Sequence, residues 1–280
     1  MVIRAALDEA ARCLKEKGNS TPRLDAAVLL CHVLGKDRGY LITHDQERLA
    51  PAAETKYREI VAKRAEGMPA AYLTGEKEFM SLSFAVNEHV LIPRSDTETL
   101  VEAILEENEL GTPRIADLCC GSGCIGVSLA YYIPGALVTM VDVSEDAVEV
   151  AQQNAVRHGV GARCRFVCAD LLCEQVAGEF DIVVSNPPYI ETAEIAALER
   201  DVAEYEPRLA LDGGADGLVF YRRLAQLAPA MLRPGGLLAL EVGHKQAGAV
   251  MELLAADFHD RETVCDLAGI RRVVMGRKNG

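Results

Sequence analysis

Two short stretches of this chain hold residue types that can do chemistry together. One is Asn186-Pro187-Pro188-Tyr189, which directly follows the apolar run Phe180 to Val184. A chain that needed only a turn could use Asn-Gly there. Prolines fix their own φ, restrict the residue before them and donate no hydrogen bonds. Carbonyls in such a loop can be held outward as pure acceptors. Asn186 adds a side-chain oxygen and Tyr189 an aromatic face. A planar NH2 group suits that set, because its two hydrogens need two acceptors and its face can stack. The plain alternative is a rigid proline turn with no ligand.

The other stretch is "IADLCCGSGCIGVSLA", in which Gly121, Gly123 and Gly126 spell Gly-x-Gly-x-x-Gly. The pattern counts only between a strand and a helix, and here a strand is expected over 114–118 with a helix after the glycines. Glycine lets the backbone turn sharply and lets a ligand approach without a Cβ in the way. This loop fits a dinucleotide enzyme, an S-adenosylmethionine enzyme, or a tight turn with no ligand. Two carboxylates discriminate. Asp117 ends the first strand, where it would repel a pyrophosphate but suits a ligand bearing an ammonium group. Asp142 ends the second strand, where it can accept hydrogen bonds from ribose hydroxyls; it could also cap the helix beginning near Ser144. The pair favours S-adenosylmethionine over a nicotinamide dinucleotide.

With such a donor the chemistry needs no strong base. An amide or exocyclic amine is a poor nucleophile because its lone pair is delocalised. Holding both N–H groups on acceptors aims that lone pair at the sulfonium methyl, so alignment supplies much of the rate. The same acceptors stabilise charge developing on nitrogen, and the proton leaves after transfer.

The elements that position these loops are alternating strands and helices. Strands are expected over 114–118, 136–142, 163–167, 180–184 and 235–243, with helices from Asp96, over 144–158, 216–232 (Pro229 a possible kink) and 245–256. Two strands near 261–265 and 271–275 lack a long helix between them and could pair antiparallel. That alternation predicts an α/β fold with a doubly wound, mostly parallel sheet, which for the S-adenosylmethionine donor read above is the class I methyltransferase type. The chain before it reads as helices. Thr21-Pro22 opens one, with Leu24, Ala27, Val28, Cys31 and Leu34 at helical spacing, and Pro51 opens another, with Tyr57, Ile60 and Val61 on one face. Short extended runs at 78–80 and 83–86 suggest a β-hairpin. The expected domains are therefore a helical domain over 1–71, a hairpin linker over 72–95 and a donor-binding domain over 96–280.

Composition bounds the partners. Half of the 280 residues are hydrophobic, enough for a sizeable core. No apolar run reaches the ~18 residues of a membrane span, and the charged, helical N-terminus does not read as a signal peptide, so a cytoplasmic protein is expected. The nine cysteines are expected to be reduced thiols. No metal site is expected, because the cysteines lack Cys-x-x-Cys spacing and His32, His44, His89, His158, His244 and His259 lack ligand spacing. Residues 1–70 carry 12 Lys/Arg and 10 Asp/Glu, whereas 71–280 carry 17 and 32. A nucleic-acid binder usually shows a basic face, so direct DNA binding is not expected.

Taken together, the chain resembles the protein-(glutamine-N5) methyltransferases of peptide-chain release factors, the PrmC/HemK family. The resemblance runs through "RLDAAVLLCHVL", "PAAYLTGEKEFMSLSFAVNEHVLIPRSDTETLVE", "DLCCGSGCIG", "VDVSEDAVEVAQQNA", "SNPPYI", "EPRLALDGGADGL", "LRPGG" and "DLAGIRRVV". It implies that S-adenosyl-L-methionine lies against Cys119, Cys120, Gly121, Ser122 and Gly123, that Asp142 holds its ribose, and that Asp170 and Leu171 flank its adenine. It implies that Asn186 touches donor and substrate, and that Asn186, Pro187, Pro188 and Tyr189 hold the amide of a glutamine in a release factor's Gly-Gly-Gln loop. Phe79 and Arg94 would line the substrate side, and the helical domain would dock the protein substrate. The family often has Gly-Thr where this chain has Cys119-Cys120, and Pro at the position of Ser95. Within "PRSDTE", Ser95 and Glu98 match a capping box for the next helix. Asn-Pro-Pro-Tyr by itself also fits an adenine-N6 or guanine-N2 nucleic-acid methyltransferase. A non-catalytic S-adenosylmethionine-binding adaptor is a rival of another class.

Overall fold

Helix-period apolar faces and proline-opened first turns govern the N-terminal part of the chain. The computed structural model describes residues 1–107 and 111–280. Five helices come first: α1 (Ile3–Glu16), α2 (Pro22–Leu34), α3 (Arg38–Thr43), α4 (Pro51–Ala65) and α5 (Ala70–Thr74). Their core gathers Ile3, Leu14, Leu29, Leu30 and Tyr57. On α2 the face that faces this core is Ala26, Leu29 and Leu30, and Leu24 is exposed. The expected stripe holds in part: Ala27, Cys31 and Leu34 are half-buried against this core, whereas Leu24 points outward. α2 is apolar nearly all round, so packing against α1 and α4, not periodicity, selects its buried side.

A hairpin follows, β1 (Glu76–Phe79) and β2 (Leu82–Ala85), joined by Met80 and Ser81 at φ 50° and 57°. Both turn residues have left-handed backbone, as a two-residue hairpin turn demands, without the Asn-Gly that favours it. Two bonds hold the turn: Glu98 Oε1 accepts from the Met80 amide at 2.6 Å, and the Tyr132 hydroxyl donates to the Met80 carbonyl at 2.6 Å. The Glu98 carboxylate thus serves the hairpin, where the sequence suggested a capping box.

Then come α6 (Ser95–Glu107), β3 (Arg114–Leu118), α7 (Cys124–Tyr132), β4 (Leu137–Asp142), α8 (Glu145–Arg157), β5 (Cys164–Cys168), β6 (Phe180–Ser185), α9 (Arg200–Tyr205), α10 (Val219–Met231), β7 (Leu232–Glu241), α11 (Ala247–Leu253), β8 (Phe258–Cys265) and β9 (Arg271–Lys278). Seven strands form one sheet in the order β5-β4-β3-β6-β7-β9-β8, parallel except for β9, which runs antiparallel to both neighbours. Two apolar cores cover its faces. This is the doubly wound sheet that the alternation predicts, with the antiparallel pair at its end.

Two compact units result. One holds Met1–Glu76 with Glu199–Tyr205, and the other holds Lys77–Leu198 with Glu206–Gly280. Helix α9 therefore belongs to the helical unit. There, Arg64 bridges Asp25 at 2.6 Å and Asp201 at 3.4 Å, and the Tyr205 hydroxyl donates to the Glu66 carbonyl at 3.2 Å. The expected linker over 72–95 is divided: α5 lies in the helical unit and all of the hairpin past Glu76 lies in the sheet unit.

Candidate active site

The sheet order places β3 beside β6: the chain leaves β3 towards β4 and β5 on one side and then crosses to β6 on the other. Such a reversal opens a crevice at the strands' carboxyl ends. Leu118 and Ser185, the last residues of β3 and β6, are register partners. The buried Ser185 hydroxyl donates to the Leu118 carbonyl at 2.6 Å. The glycine loop and the Asn-Pro-Pro-Tyr loop therefore begin side by side. Between them lies a cleft of about 440 Å³, within the usual range for small-molecule sites.

Each glycine of the first loop has its own task. Gly121 has φ 52° and open space where a Cβ would stand, so its backbone is bare to an approaching ligand. A Cβ on Gly123 would lie 2.9 Å from that of Ala151, and one on Gly126 would lie 2.8 Å from Asp117 Oδ2. Gly123 thus permits close packing against α8, and Gly126 permits close packing of α7 against the sheet. Cys119, where the family often has glycine, also takes a left-handed φ of 59°. For a side-chain-bearing residue this costs about 1–2 kcal/mol. Burial pushes the Cys119 and Cys120 thiols up, and Cys124 to about 12. The three thiols of this cleft stay protonated and are poor nucleophiles.

Asp142 faces the cleft and accepts from the amides of Gly121 at 2.8 Å and Ser144 at 3.0 Å. It does not cap α8; Ser144 does, accepting from the Ala147 amide at 3.2 Å. Each carboxylate oxygen keeps a lone pair for a further donor such as a ribose hydroxyl. Asp170 and Leu171 form another part of the wall. Asp170 Oδ1 accepts from the Leu172 amide at 2.9 Å, and Arg223 holds the Leu171 carbonyl at 2.7 Å. Asp117 stands behind the loop. It is fully buried, its Oδ2 accepts from the Gly126 amide at 2.9 Å, and its Oδ1 has no hydrogen-bond partner among the described residues. Burial raises its pKa to about 7; the Gly126 amide opposes this and Asp142 adds to it. Gly123 likewise packs behind the wall.

Whether these residues fit S-adenosyl-L-methionine can be tested on charge and shape. Glu88, Asp142, Asp146 and Asp170 line the cleft against a lone arginine, Arg94. That arginine is paired with the buried Glu206 carboxylate. An acidic wall suits a cationic sulfonium donor and opposes a pyrophosphate. The bare backbone at Gly121 and the spare lone pairs of Asp142 suit a nucleoside. The residues fit.

On the acceptor side, Asn186 and Pro188 line the cleft, and Pro187 is buried beside them. The Asn186 Nδ2 donates to Thr97 Oγ1 at 3.3 Å. Tyr189 is not part of the cleft wall. Its ring packs against the second core, and its carbonyl accepts from Gln246 Nε2 at 2.9 Å. Added Cβ atoms on Gly213, Gly217 and Gly243 would lie 2.4 to 3.0 Å from Tyr189 atoms. The glycines of "LDGGADGL" thus let that segment press onto the backbone of the proline loop.

The "PRSDTE" residues divide their tasks: Arg94 binds Glu206, Asp96 binds Arg272 at 2.9 Å, Thr97 meets Asn186 and Glu98 holds the hairpin. Phe79 is a correction. It is 1% exposed and meets Phe84 edge-on in the first core, so it cannot line a substrate surface. Its position in a four-residue strand left the buried side undetermined by alternation.

Three residues of this region escape sequence reading: Thr97, Glu241 and Asn154. Asn154, fully buried on α8, donates to the carbonyls of Ser122 at 2.9 Å and Ala85 at 3.0 Å and so clamps the glycine loop to β2. A polar residue inside an amphipathic helix's apolar stripe was its only signal.

Comparison with known proteins gives the family and the fold. A family model described as the PrmC N-terminal domain matches residues 5–75, and one described as the methyltransferase small domain matches 95–215. A release factor glutamine methyltransferase of Moorella thermoacetica is 46% identical over 98% of each chain, and one of Clostridium acetobutylicum is 42% identical over 100% of each. Among solved structures, a methyltransferase from Pyrococcus furiosus matches with a TM-score of 0.53 at 18% identity, covering 79% of this chain and 99% of that one. The hMettl16 catalytic domain, solved with the MAT2A 3'UTR hairpin 6, matches with a TM-score of 0.56 at 17% identity, covering 77% and 81%. At such identities the structures share the fold. No helix among the described residues is long and apolar enough to cross a membrane.

Proposed function

The chain belongs to the release factor glutamine methyltransferase family, and from that membership we propose that it methylates the side-chain amide nitrogen of a glutamine in a peptide-chain release factor. It is an S-adenosyl-L-methionine-dependent methyltransferase. The observation that carries the finer reading is the side-by-side start of the glycine loop and the Asn186 loop at Leu118 and Ser185. It brings an acidic nucleoside wall and a polar acceptor loop to one cleft.

The bound donor supplies a methyl group already activated by its sulfonium charge. The protein's part is binding and alignment. Gly121 presents bare backbone, Asp142 takes the ribose hydroxyls, and Asp170 with Leu171 flanks the adenine. Because Nδ2 of Asn186 is engaged by Thr97, its Oδ1 is the free acceptor for one amide N–H of the substrate. The Pro187 carbonyl takes the second. With both hydrogens held, the nitrogen lone pair points out of the amide plane at the methyl, and the proton departs to water after transfer.

The glutamine is that of a Gly-Gly-Gln loop. Two residues without side chains make a loop slender enough to carry a glutamine into a cleft of about 440 Å³. The helical unit docks the protein substrate. The acidic balance of residues 71–280 disfavours a nucleic acid as substrate. In an incubation with labelled S-adenosyl-L-methionine, a release factor and a DNA duplex, the label is expected on one glutamine amide of the release factor, located by peptide mass spectrometry. Label in the duplex instead would replace this reading with a nucleic-acid methyltransferase.

A further inference from the structure

An asparagine amide has two ends of nearly equal shape. Turned one way, Asn186 offers the cleft an acceptor; turned the other, it offers a donor that would repel a substrate NH2 group. Something must choose between them. We propose that Thr97 and Glu241 are positioning residues that lock Asn186 with its oxygen towards the cleft. The proposal deepens the amide-methylation reading and rests on it.

Glu241 ends β7 and is 2% exposed. Among the described residues its Oε2 is buried without a hydrogen-bond partner, and the Thr97 hydroxyl and the Asn186 amide both act on the carboxylate, holding its pKa down against burial. An ionised carboxylate can only accept. Thr97, itself 2% exposed, has a single hydroxyl proton. With Glu241 charged, that proton goes to the carboxylate. The hydroxyl oxygen then accepts, and what it accepts is Asn186 Nδ2 at 3.3 Å. The direction of the chain is set from its buried end, leaving Asn186 Oδ1 outward.

The surrounding charges bear on whether Glu241 is ionised. Arg272 on β9 binds Asp96 on α6 and Asp266, each at 2.9 Å. Burial raises the pKa of Glu241 to about 7, opposed by the Thr97 hydroxyl, Arg272 and the Asn186 amide and reinforced by Asp96. Tyr189, Tyr221 and Cys124 also feel its charge, and all three hold their protons. When Glu241 takes up a proton it becomes a donor to Thr97, the Thr97 proton turns to Asn186, and the amide is free to rotate.

The test uses Thr97→Val, Glu241→Leu and Glu241→Gln in the full chain, each checked by thermal melting and by donor affinity. Single-turnover methyl transfer to a release factor is expected to slow about 10- to 100-fold in the first two. Glu241→Gln, which keeps an acceptor, should slow it less. Donor affinity should stay within about twofold, and none of the three should slow the Asn186→Ala protein further, since the group they orient is gone. In the parent, the side-chain amide resonances of a nitrogen-15-labelled Asn186 should shift with pH, and Glu241→Leu should abolish that shift. Parental rates in folded Thr97→Val and Glu241→Leu would overturn the proposal. So would the same fold-loss in the Asn186→Ala background, or an Asn186 titration that survives Glu241→Leu. The resonance measurement needs no substrate. If the parent methylates no release factor, the functional reading fails while this measurement still decides the role of Glu241.

Discussion

The backbone amide of Gly121 donates to Asp142 Oδ2 at 2.8 Å, which makes the glycine loop after β3 and the carboxylate that ends β4 one binding surface. Asp142→Ala removes the proposed ribose acceptor and leaves the Gly121 and Ser144 amides without theirs. Donor binding should weaken by about 1.5–3 kcal/mol, the range for hydrogen bonds to a charged group. Asp142→Asn keeps an acceptor oxygen and should fall between. Titration calorimetry on folded variants measures this, and unchanged affinity in the alanine variant would remove Asp142 from the donor site.

Cys119 sits at φ 59° between strand and loop. A β-branched side chain tolerates that backbone worst and glycine best. Cys119→Val should therefore destabilise the protein by more than about 1 kcal/mol, while Cys119→Gly should be neutral or stabilising by up to about 1 kcal/mol. Urea denaturation gives the order directly. A valine variant as stable as the parent would show that the loop relaxes out of the left-handed conformation.

Much of the sheet was legible because buried parallel strands read as short apolar runs. β3, β4, β5 and β6 each lie within a residue of their expected bounds. β7 starts at Leu232, before its expected start at 235, because a register shift opposite Phe180 and Ile182 carries Arg233, Pro234 and Gly235 within the strand. No local pattern announces such an irregularity. The loop residues were legible where chemistry demands a rare type, as at Gly121 and Asn186. Phe79 was misread because a short hairpin does not reveal which face is covered. Helix α9 could not be assigned to the helical unit from "RDVAEY", since the contacts that hold it, to Arg64 and Glu66, are more than a hundred residues away in sequence. Glu241 was overlooked inside "LLALEVG", although a carboxylate at the end of an apolar strand is itself a signal, because burial without a partner is costly.

Two buried carboxyls give the fold a pH signature. Burial raises both Asp117 and Glu241 to about 7. A carboxyl that holds its proton more tightly in the folded state stabilises most where both states are protonated. That contribution fades as pH rises from about 4, where the unfolded chain ionises, to about 7. Asp117→Asn keeps the acceptor for the Gly126 amide but cannot ionise. Relative to the parent, it should gain stability progressively across that window, by at most ~1.4 kcal/mol per pH unit. Denaturation curves of the two proteins at several pH values test this. Parallel pH dependences would show that Asp117 ionises normally in the folded protein.

Asn186 carries the sharpest expectation. Its Oδ1 is the acceptor left free by the bond to Thr97, and the proline that follows fixes the backbone on which it stands. Asn186→Ala leaves one substrate N–H unpaired in a largely desolvated cleft and lets the amide plane tilt away from the methyl. By the scale for losing one preorganised hydrogen-bonding group, single-turnover transfer should fall about 100- to 1,000-fold. Stability should change little, because the side chain is only half-buried and lies in a loop. The donor should still bind within a few-fold of parental affinity, since the glycine loop and Asp142 are untouched. Rapid-quench methyl transfer to a release factor, with calorimetric donor titration and thermal melting as controls, separates these effects. A folded, donor-binding Asn186→Ala protein that transfers methyl at the parental rate would reduce Asn-Pro-Pro-Tyr to a rigid turn and move the amide-binding site elsewhere in the cleft.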